Sequence, residues 1–240
     1  MSLKPRDAEL IIGIVARIGV DTINVVRILT DELKRYGYTV NEVKPTKLLA
    51  GLRSILQLTQ HPPEERYSTY IAACNDLRRR TNNDVLAALS ILEIYKNRLA
   101  STDPSNVQIR QCYIVNQIKR PEESELLRSV YGEQYVQISC HADETVRSER
   151  LAALISDGHP ENPRSSDWEI KARQLIHTDE SEEAETHGQR VRQVFPLSDV
   201  IVDTNSTIKI RYGIERFLRV RLESVYQRAS RRSSRIAEAV

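Results

Sequence analysis

The sequence predicts an α/β fold, with a mainly parallel sheet covered by helices on both faces. Three observations predict it. The first strand-like segment, Leu10 to Val15, is apolar without alternation, as a strand buried on both faces requires. Strand-like and helix-like segments then alternate along the chain, which implies βαβ crossovers. Finally, 240 residues with 40% hydrophobic and 28% charged side chains can bury a substantial core, as one large domain or two small ones.

From Glu9 the chain reads as a strand leading to a turn at Gly19, then an amphipathic helix over Asp21 to Tyr36. Tyr38 to Val43 alternates like a second strand, closed by Pro45. Leu48, Leu49, Leu52, Ile55 and Leu56 mark one helical face. Pro62 to Arg80 and Asp84 to Leu99 read as further helices, the second with Asp84 as its N-cap. A turn at Thr102 to Asn106 leads into a strand over Val107 to Val115. Pro121 to Tyr131 is a short helix stopped by Gly132. The strand Tyr135 to Cys140 and a helix from Asp143 to about Ser156 follow, then a loop over Asp157 to Ser166 rich in Gly, Pro, Asn and Ser. Polar helices are predicted over Asp167 to Ile176 and Ser181 to Val194. A last strand spans Asp199 to Asp203, and a final helix spans Thr207 to Val225. The expected organisation is one domain over residues 1–225 and a basic tail over 226–240.

Composition excludes several classes. A net charge of +2 is too small for a general nucleic-acid binder. No apolar run reaches the roughly 18 residues of a membrane span, and the first residues carry no signal-peptide apolar region. A cytoplasmic protein with no membrane partner is expected. Cys74, Cys112 and Cys140 stand singly, so neither structural zinc nor a disulfide framework is expected. His141–Glu144 has the look of a zinc-deaminase start, but no P-C-x-x-C partner occurs in the sequence, and His141 reads as a loop residue.

Chemistry concentrates at the first turn. A strand, a glycine turn and a helix N-terminus can hold phosphate oxygens on backbone amides. The candidate set is Gly13, Arg17, Gly19, Asp21 and Thr22, with Thr22 placed to approach Mg²⁺. A purely structural βα turn is the alternative. The lysine of a Walker loop is missing, since the turn ends Gly19-Val20-Asp21-Thr22. Arg17 is a candidate replacement cation. Asp21 adds negative charge where phosphates would sit, and it suits a helix cap. Downstream, Arg147 and Arg150 share one helical face, with Arg164, Lys171 and Arg173 beyond, as an arginine-bearing lid would. Surface pairing with Glu144, Glu149 and Glu169 is the alternative. Asn75 and Arg78, with Lys119, are candidate substrate-binding residues; the arginines of this segment also suit a helix C-terminus.

Several stretches together resemble one family. They are Glu9–Val15 with Gly19–Thr22, Leu33–Val40, Cys74–Arg78 with Asp84–Ala88, Tyr113–Glu123, Leu126–Gly132, Gly188-Gln189, Phe195 and Ser198–Asp203. They resemble the N-terminal P-loop kinase-like domain of bacterial anti-phage deoxycytidylate (dCMP/dCTP) deaminases, over roughly residues 9–222. Arg147–Arg150 and Asp199–Asn205 are also similar to dephospho-coenzyme A and nucleoside monophosphate kinases. The resemblance implies a three-layer P-loop NTPase fold, nucleoside/nucleotide kinase-like, and a nucleoside triphosphate ligand with Mg²⁺. The deaminase half has no counterpart in these 240 residues, so neither deaminase activity nor zinc is expected. The expectation is a nucleotide-binding domain that senses or regulates, with antiviral defence as its setting. Two alternatives stay open. One is an active nucleotide kinase or NTPase using Arg17 or Lys119 as its cation. The other is the interaction module of a split system, with a deaminase or other effector as partner; a homo-oligomer is compatible with either.

Overall fold

The computed structural model describes residues 8–49, 58–100, 110–162 and 167–223. Strand β1 (Leu10–Ala16) is buried along its whole length. Its even-numbered side chains Leu10, Ile12 and Ile14 pack on Val25, Ile28 and Leu29 of α1 (Thr22–Arg35) and Ile210 and Ile214 of α9 (Thr207–Leu218). Ile11 and Val15 face the other way, onto Ala87 and Ile94 of α4 (Val85–Ala100), Leu127 of α5 (Pro121–Tyr131) and Val194 of α8 (Val191–Val194). A strand with both faces covered must be apolar throughout, which is why β1 shows no alternation. The three layers predicted from that run are present.

Five strands form one sheet in the order β2-β3-β1-β4-β5. These are β2 (Thr39–Val43), β3 (Gln111–Ile118), β4 (Tyr135–His141) and β5 (Val200–Asp203) beside β1, and every pairing is parallel. β1 lies between β3 and β4, so the chain reverses its direction of travel across the sheet there. In open α/β sheets the crevice outside the carboxyl ends at such a reversal is where ligands bind. Between Ile14 and Val15 the pairing to β3 slips past Gln117. Such an irregularity re-aims side chains near a strand end. Two long connections cross this end of the sheet. One carries α2 (Pro45–Leu48) and α3 (Pro63–Arg80); the other carries α6 (Glu144–Asp157) and α7 (Asp167–Ser181).

Most element boundaries fall within a few residues of expectation, with three corrections. β3 runs on to Ile118, because its pairing with Val15 continues past Val115. The helix expected over Ser181 to Val194 is not formed. There α7 ends at Ser181, a 3₁₀ turn spans Glu182–Ala184, and only Val191–Val194 returns to helix. The reason is tertiary: Arg190 N–H donates to Lys119 O at 2.8 Å, and the Arg120 guanidinium donates to the carbonyls of Thr186 and Gly188. That backbone is bound to the β3–α5 junction instead of to its own preceding turn. The last helix is α-helical only to Leu218 and continues as a π turn over Arg219–Glu223. The expected turn at Thr102 to Asn106, the residues Leu52, Ile55 and Leu56, Arg164 and the tail over 226–240 lie outside the described residues.

Cys74, Cys112 and Cys140 are buried free thiols. Burial pushes the Cys140 thiol up to about 12, which keeps it protonated and inert near neutral pH. No described helix is long and apolar enough to cross a membrane.

Candidate functional site at the carboxyl ends of the strands

A cavity of about 800 Å³ opens over the carboxyl ends of the strands. Its floor is the turn Arg17–Thr22 after β1, with Lys44 to Thr46 after β2 and Asn116, Gln117 and Lys119 at the end of β3. One wall is α3, through Arg66, Tyr67, Tyr70, Ile71, Cys74 and Arg78. The other is α6, through Arg150, Leu151 and Leu154, with Asp179 of α7 and Gln189 behind.

The turn is tightly built. Gly19 takes φ +82°, and a Cβ there would stand 2.6 Å from the carbonyl of Arg147. Only glycine meets both demands at low cost. Ile18 is buried among Leu151, Ile155, Trp168, Ala172 and Ile176, so the turn is fastened beneath α6 and α7. Asp21 caps α1, accepting from Asn24 N–H at 3.0 Å. Val20 N–H and Thr22 N–H donate to Arg17 O and Val20 O. Ile18 N–H donates to Asp179 Oδ2 at 3.1 Å. Amides that a phosphate would use are therefore partly engaged by carboxylates and carbonyls of the chain itself.

Charge around the turn is paired in the same way. Lys119 reaches in from β3, its Nζ donating to Ala16 O at 2.8 Å and lying 3.6 Å from Asp179 Oδ1. It brings to the turn an ammonium that the local sequence lacks. Arg17 pairs with Glu180 at 3.3 Å. Arg147 is 3% exposed, lies 3.5 Å from the same carboxylate and donates to Ile18 O at 3.4 Å. It supports the turn from behind and does not line the cavity. Arg150 does line it. One Arg150 nitrogen donates to Thr204 O at 3.0 Å, and its buried Nη1 has no partner.

At the α3 end the polar groups are deeper. Arg78 is 1% exposed, pairs with Glu123 at 2.8 Å and donates to Asn75 Oδ1 at 3.2 Å, yet its Nε has no partner. Asn116 donates to Glu42 at 2.8 Å and leaves its Oδ1 unpartnered. Gln189 leaves its Oε1 likewise. Buried polar atoms normally find partners, so four residues lining one cavity with such atoms, counting Arg150, mark places where a bound molecule would supply them. Tyr67, Tyr70 and Ile71 give the adjoining wall a flat apolar surface.

The structure thus brings Arg17, Gly19, Asp21, Thr22, Lys119, Arg150 and Arg78 to one cavity. It puts others elsewhere. Gly13 lies inside β1, paired with Val115 and Gln137, where a Cβ would collide with the Tyr135 hydroxyl; it is a packing glycine. Asn75 borders a separate hollow with Arg79 and Glu185 to Gly188. Lys171 bonds to Glu64 at 2.7 Å and Arg173 faces Glu169 at 3.9 Å, so neither forms the expected lid over the turn. His141 stands exposed beside Asp143. Residues the sequence reading missed are Asp179, Glu180, Asn116 and Gln189. Asp179 and Glu180 open the acidic run to Glu183, and nothing in that run singles them out.

Toward a cation the turn offers the Thr22 hydroxyl, whose Oγ1 accepts from Gln117 Nε2 at 3.5 Å, and the Asp21 carboxylate, whose Oδ1 is taken by the helix cap. Among the described residues no group of three or more His, Cys, Asp or Glu side chains is assembled for a metal ion. Mg²⁺ asks for near-octahedral oxygen ligation with free carboxylate or phosphate donors.

No protein-family model matches the sequence, and no curated protein matches it. Among solved structures the chain is similar to a gluconokinase from Sinorhizobium meliloti 1021, at 14% identity and a TM-score of 0.39, covering 93% of this chain and 98% of that one. The α/β class, the five-stranded parallel sheet and its order stand on the chain's own topology.

Proposed function

We propose that the chain is a nucleotide-binding, kinase-like domain whose use of the site is sensing or regulation. One observation carries this reading: a cavity at the sheet's point of reversal joins a glycine turn to buried polar atoms that lack partners. The turn and Arg150 form an end suited to a phosphoryl group. Tyr67, Tyr70, Arg78, Asn116 and Gln189 form an end suited to a flat, hydrogen-bonding base. Against phosphoryl transfer, the cations Arg17 and Lys119 are each met by a carboxylate, so neither is free to stabilise developing charge. The resemblance to kinase-like domains of anti-phage deoxycytidylate deaminases belongs to this proposal, as does an effector on another chain.

Calorimetric titration with dCTP, dTTP, ATP and GTP, and with the corresponding monophosphates, tests the reading. Saturable binding of at least one, weakened by Arg78→Gln, is the expected result. Absence of binding to all eight sinks it. The kinase or NTPase alternative rests on Lys119 at the turn. It predicts Mg²⁺-dependent turnover lost in Lys119→Met, whereas the sensing reading predicts none.

A further inference from the structure

Charge in the cavity specifies the ligand more narrowly than the fold does. Six cationic side chains line it: Arg17, Lys44, Arg66, Arg78, Lys119 and Arg150. Four have a carboxylate partner: Arg17 with Glu180, Lys44 with Glu42, Arg78 with Glu123 and Lys119 with Asp179. Arg66, whose guanidinium lies 4.8 Å over the Tyr70 ring, and Arg150 have no acid partner among the described residues. Glu180 also engages Arg147, and Asp179 takes the Ile18 amide. These two carboxylates, at the end of α7, hold the groups that the outer phosphates of a triphosphate would need.

We infer that Asp179 and Glu180 act as an internal substitute for phosphate, restricting the cavity to a nucleoside bearing no more than one phosphoryl group, held at Arg150. The inference rests on the nucleotide-binding reading and narrows it, replacing the triphosphate and Mg²⁺ expectation. A phosphate monoester carries about −1.5 to −2 charges near neutral pH, and Arg150, which has no acid partner among the described residues, supplies the cation for it. A triphosphate would set further negative charge against Asp21, Asp179 and Glu180. Asp179 is 4% exposed and its helix is fastened through Trp168, Ala172 and Ile176, so the acids are held in place by packed core.

The test compares each monophosphate with its own triphosphate, and with the free nucleoside, by calorimetry on the full chain, with and without Mg²⁺. For the base bound most tightly, the monophosphate is expected to bind at least about tenfold more tightly than the triphosphate. Glu180→Gln keeps the side-chain shape and frees Arg17 in the cavity. It is expected to bring the triphosphate to within about threefold of the monophosphate, whose own affinity stays put. Arg150→Ala is expected to make monophosphate and nucleoside bind alike. Far-ultraviolet circular dichroism and the thermal midpoint identify any variant that fails to fold, and Asp179→Asn supplies a second neutralised acid. A triphosphate bound as tightly as the monophosphate by the native chain, or unmoved by both neutralising variants, overturns the inference and leaves nucleotide binding standing. Binding of none overturns both.

Discussion

At the glycine turn, Arg17, Arg147 and Lys119 each face a carboxylate of α7, whereas at the α3 end of the same cavity Arg78, Asn116 and Gln189 each keep a buried atom without a partner. The first region is largely satisfied internally, with Arg150 Nη1 left over beside it; the second keeps three such atoms for something to complete. An unpartnered buried group costs about 1–3 kcal/mol, so a fold retains several in one place only against a compensating gain. The region whose sequence looks most like a ligand site is thus the one whose cations the protein has mostly paired with its own carboxylates. The decisive unmet valences lie where the sequence is least distinctive.

The largest expected effect would separate the two regions by burial. Glu123 and Arg78 are almost wholly inaccessible, and Glu123 also accepts Lys119 N–H at 2.8 Å. Glu123→Ala strands a buried guanidinium and is expected to cost about 3–5 kcal/mol in urea unfolding. Glu180→Ala removes a carboxylate that is 29% exposed and leaves Arg147 bonded still to Ile18 O, so it should cost less than Glu123→Ala. Equal costs would break the contrast.

Next in size is the turn itself. Gly19→Ala meets both a positive φ and the Arg147 carbonyl, so a loss of about 1–3 kcal/mol is expected by chemical denaturation. Gly213→Ala is the control: it lies within α9 without a positive φ, and the nearest atom to the added Cβ is a Val202 methyl at 3.3 Å, so its loss should be smaller. A larger loss at Gly213 would show that neither backbone conformation nor the Arg147 carbonyl constrains Gly19.

Asp21→Ala removes the α1 cap, worth about 0.5–2 kcal/mol, and should speed amide exchange in the first turn of that helix. Because this acid also opposes phosphate, the same variant is expected to bind the monophosphate no more weakly than the native chain. A large loss of affinity would assign Asp21 to the ligand instead of the helix.

The smallest effect concerns the contact of α3 with the segment after α6. His159 stacks on Trp168 at 4.5 Å and faces Glu64 of α3 at 3.0 Å and Glu161 at 3.1 Å, while Lys171 shares Glu64. The Glu64 hydrogen bond raises the His159 pKa. Its contribution to stability is then fully present below about pH 6.5 and is lost as pH rises through the raised value. Burial pushes the Glu64 carboxyl up, but bonds from Lys171 and His159 outweigh it and leave the pKa lowered, so that partner fails only on the acid side. Trp168, the sole tryptophan, is expected to change its fluorescence through the His159 titration, and His159→Gln should abolish the change. A transition that persists in His159→Gln would assign it to another group.

Much of the architecture was legible from local pattern. β1 announces itself through unbroken hydrophobicity, α5 through Pro121 at its first residue and Gly132 after its last, and α1 through Asp21. The failures share one cause. Thr186 to Arg190 has enough helical pattern to read as helix, but Arg120 and Lys119, some 70 residues earlier, take its backbone groups. Gly13 reads as a candidate for phosphate binding, yet the Tyr135 hydroxyl and ring take the space a Cβ would fill and make it a packing glycine. Asp179 and Glu180 carry no signal of their own, because nothing within α7 says which residues meet the turn.

By itself the sequence determined the α/β class, the run of strands and helices, and the glycine turn after β1, because hydrophobic period, caps and glycine act over a few residues. Only tertiary structure decided the sheet order, the arrival of Lys119 at Ala16, and the pairing of Arg17 and Arg147 with one carboxylate of α7. Electrostatic pairing depends on distances of a few ångströms between residues 33 to 163 positions apart, and the chain sets those distances only when its core closes.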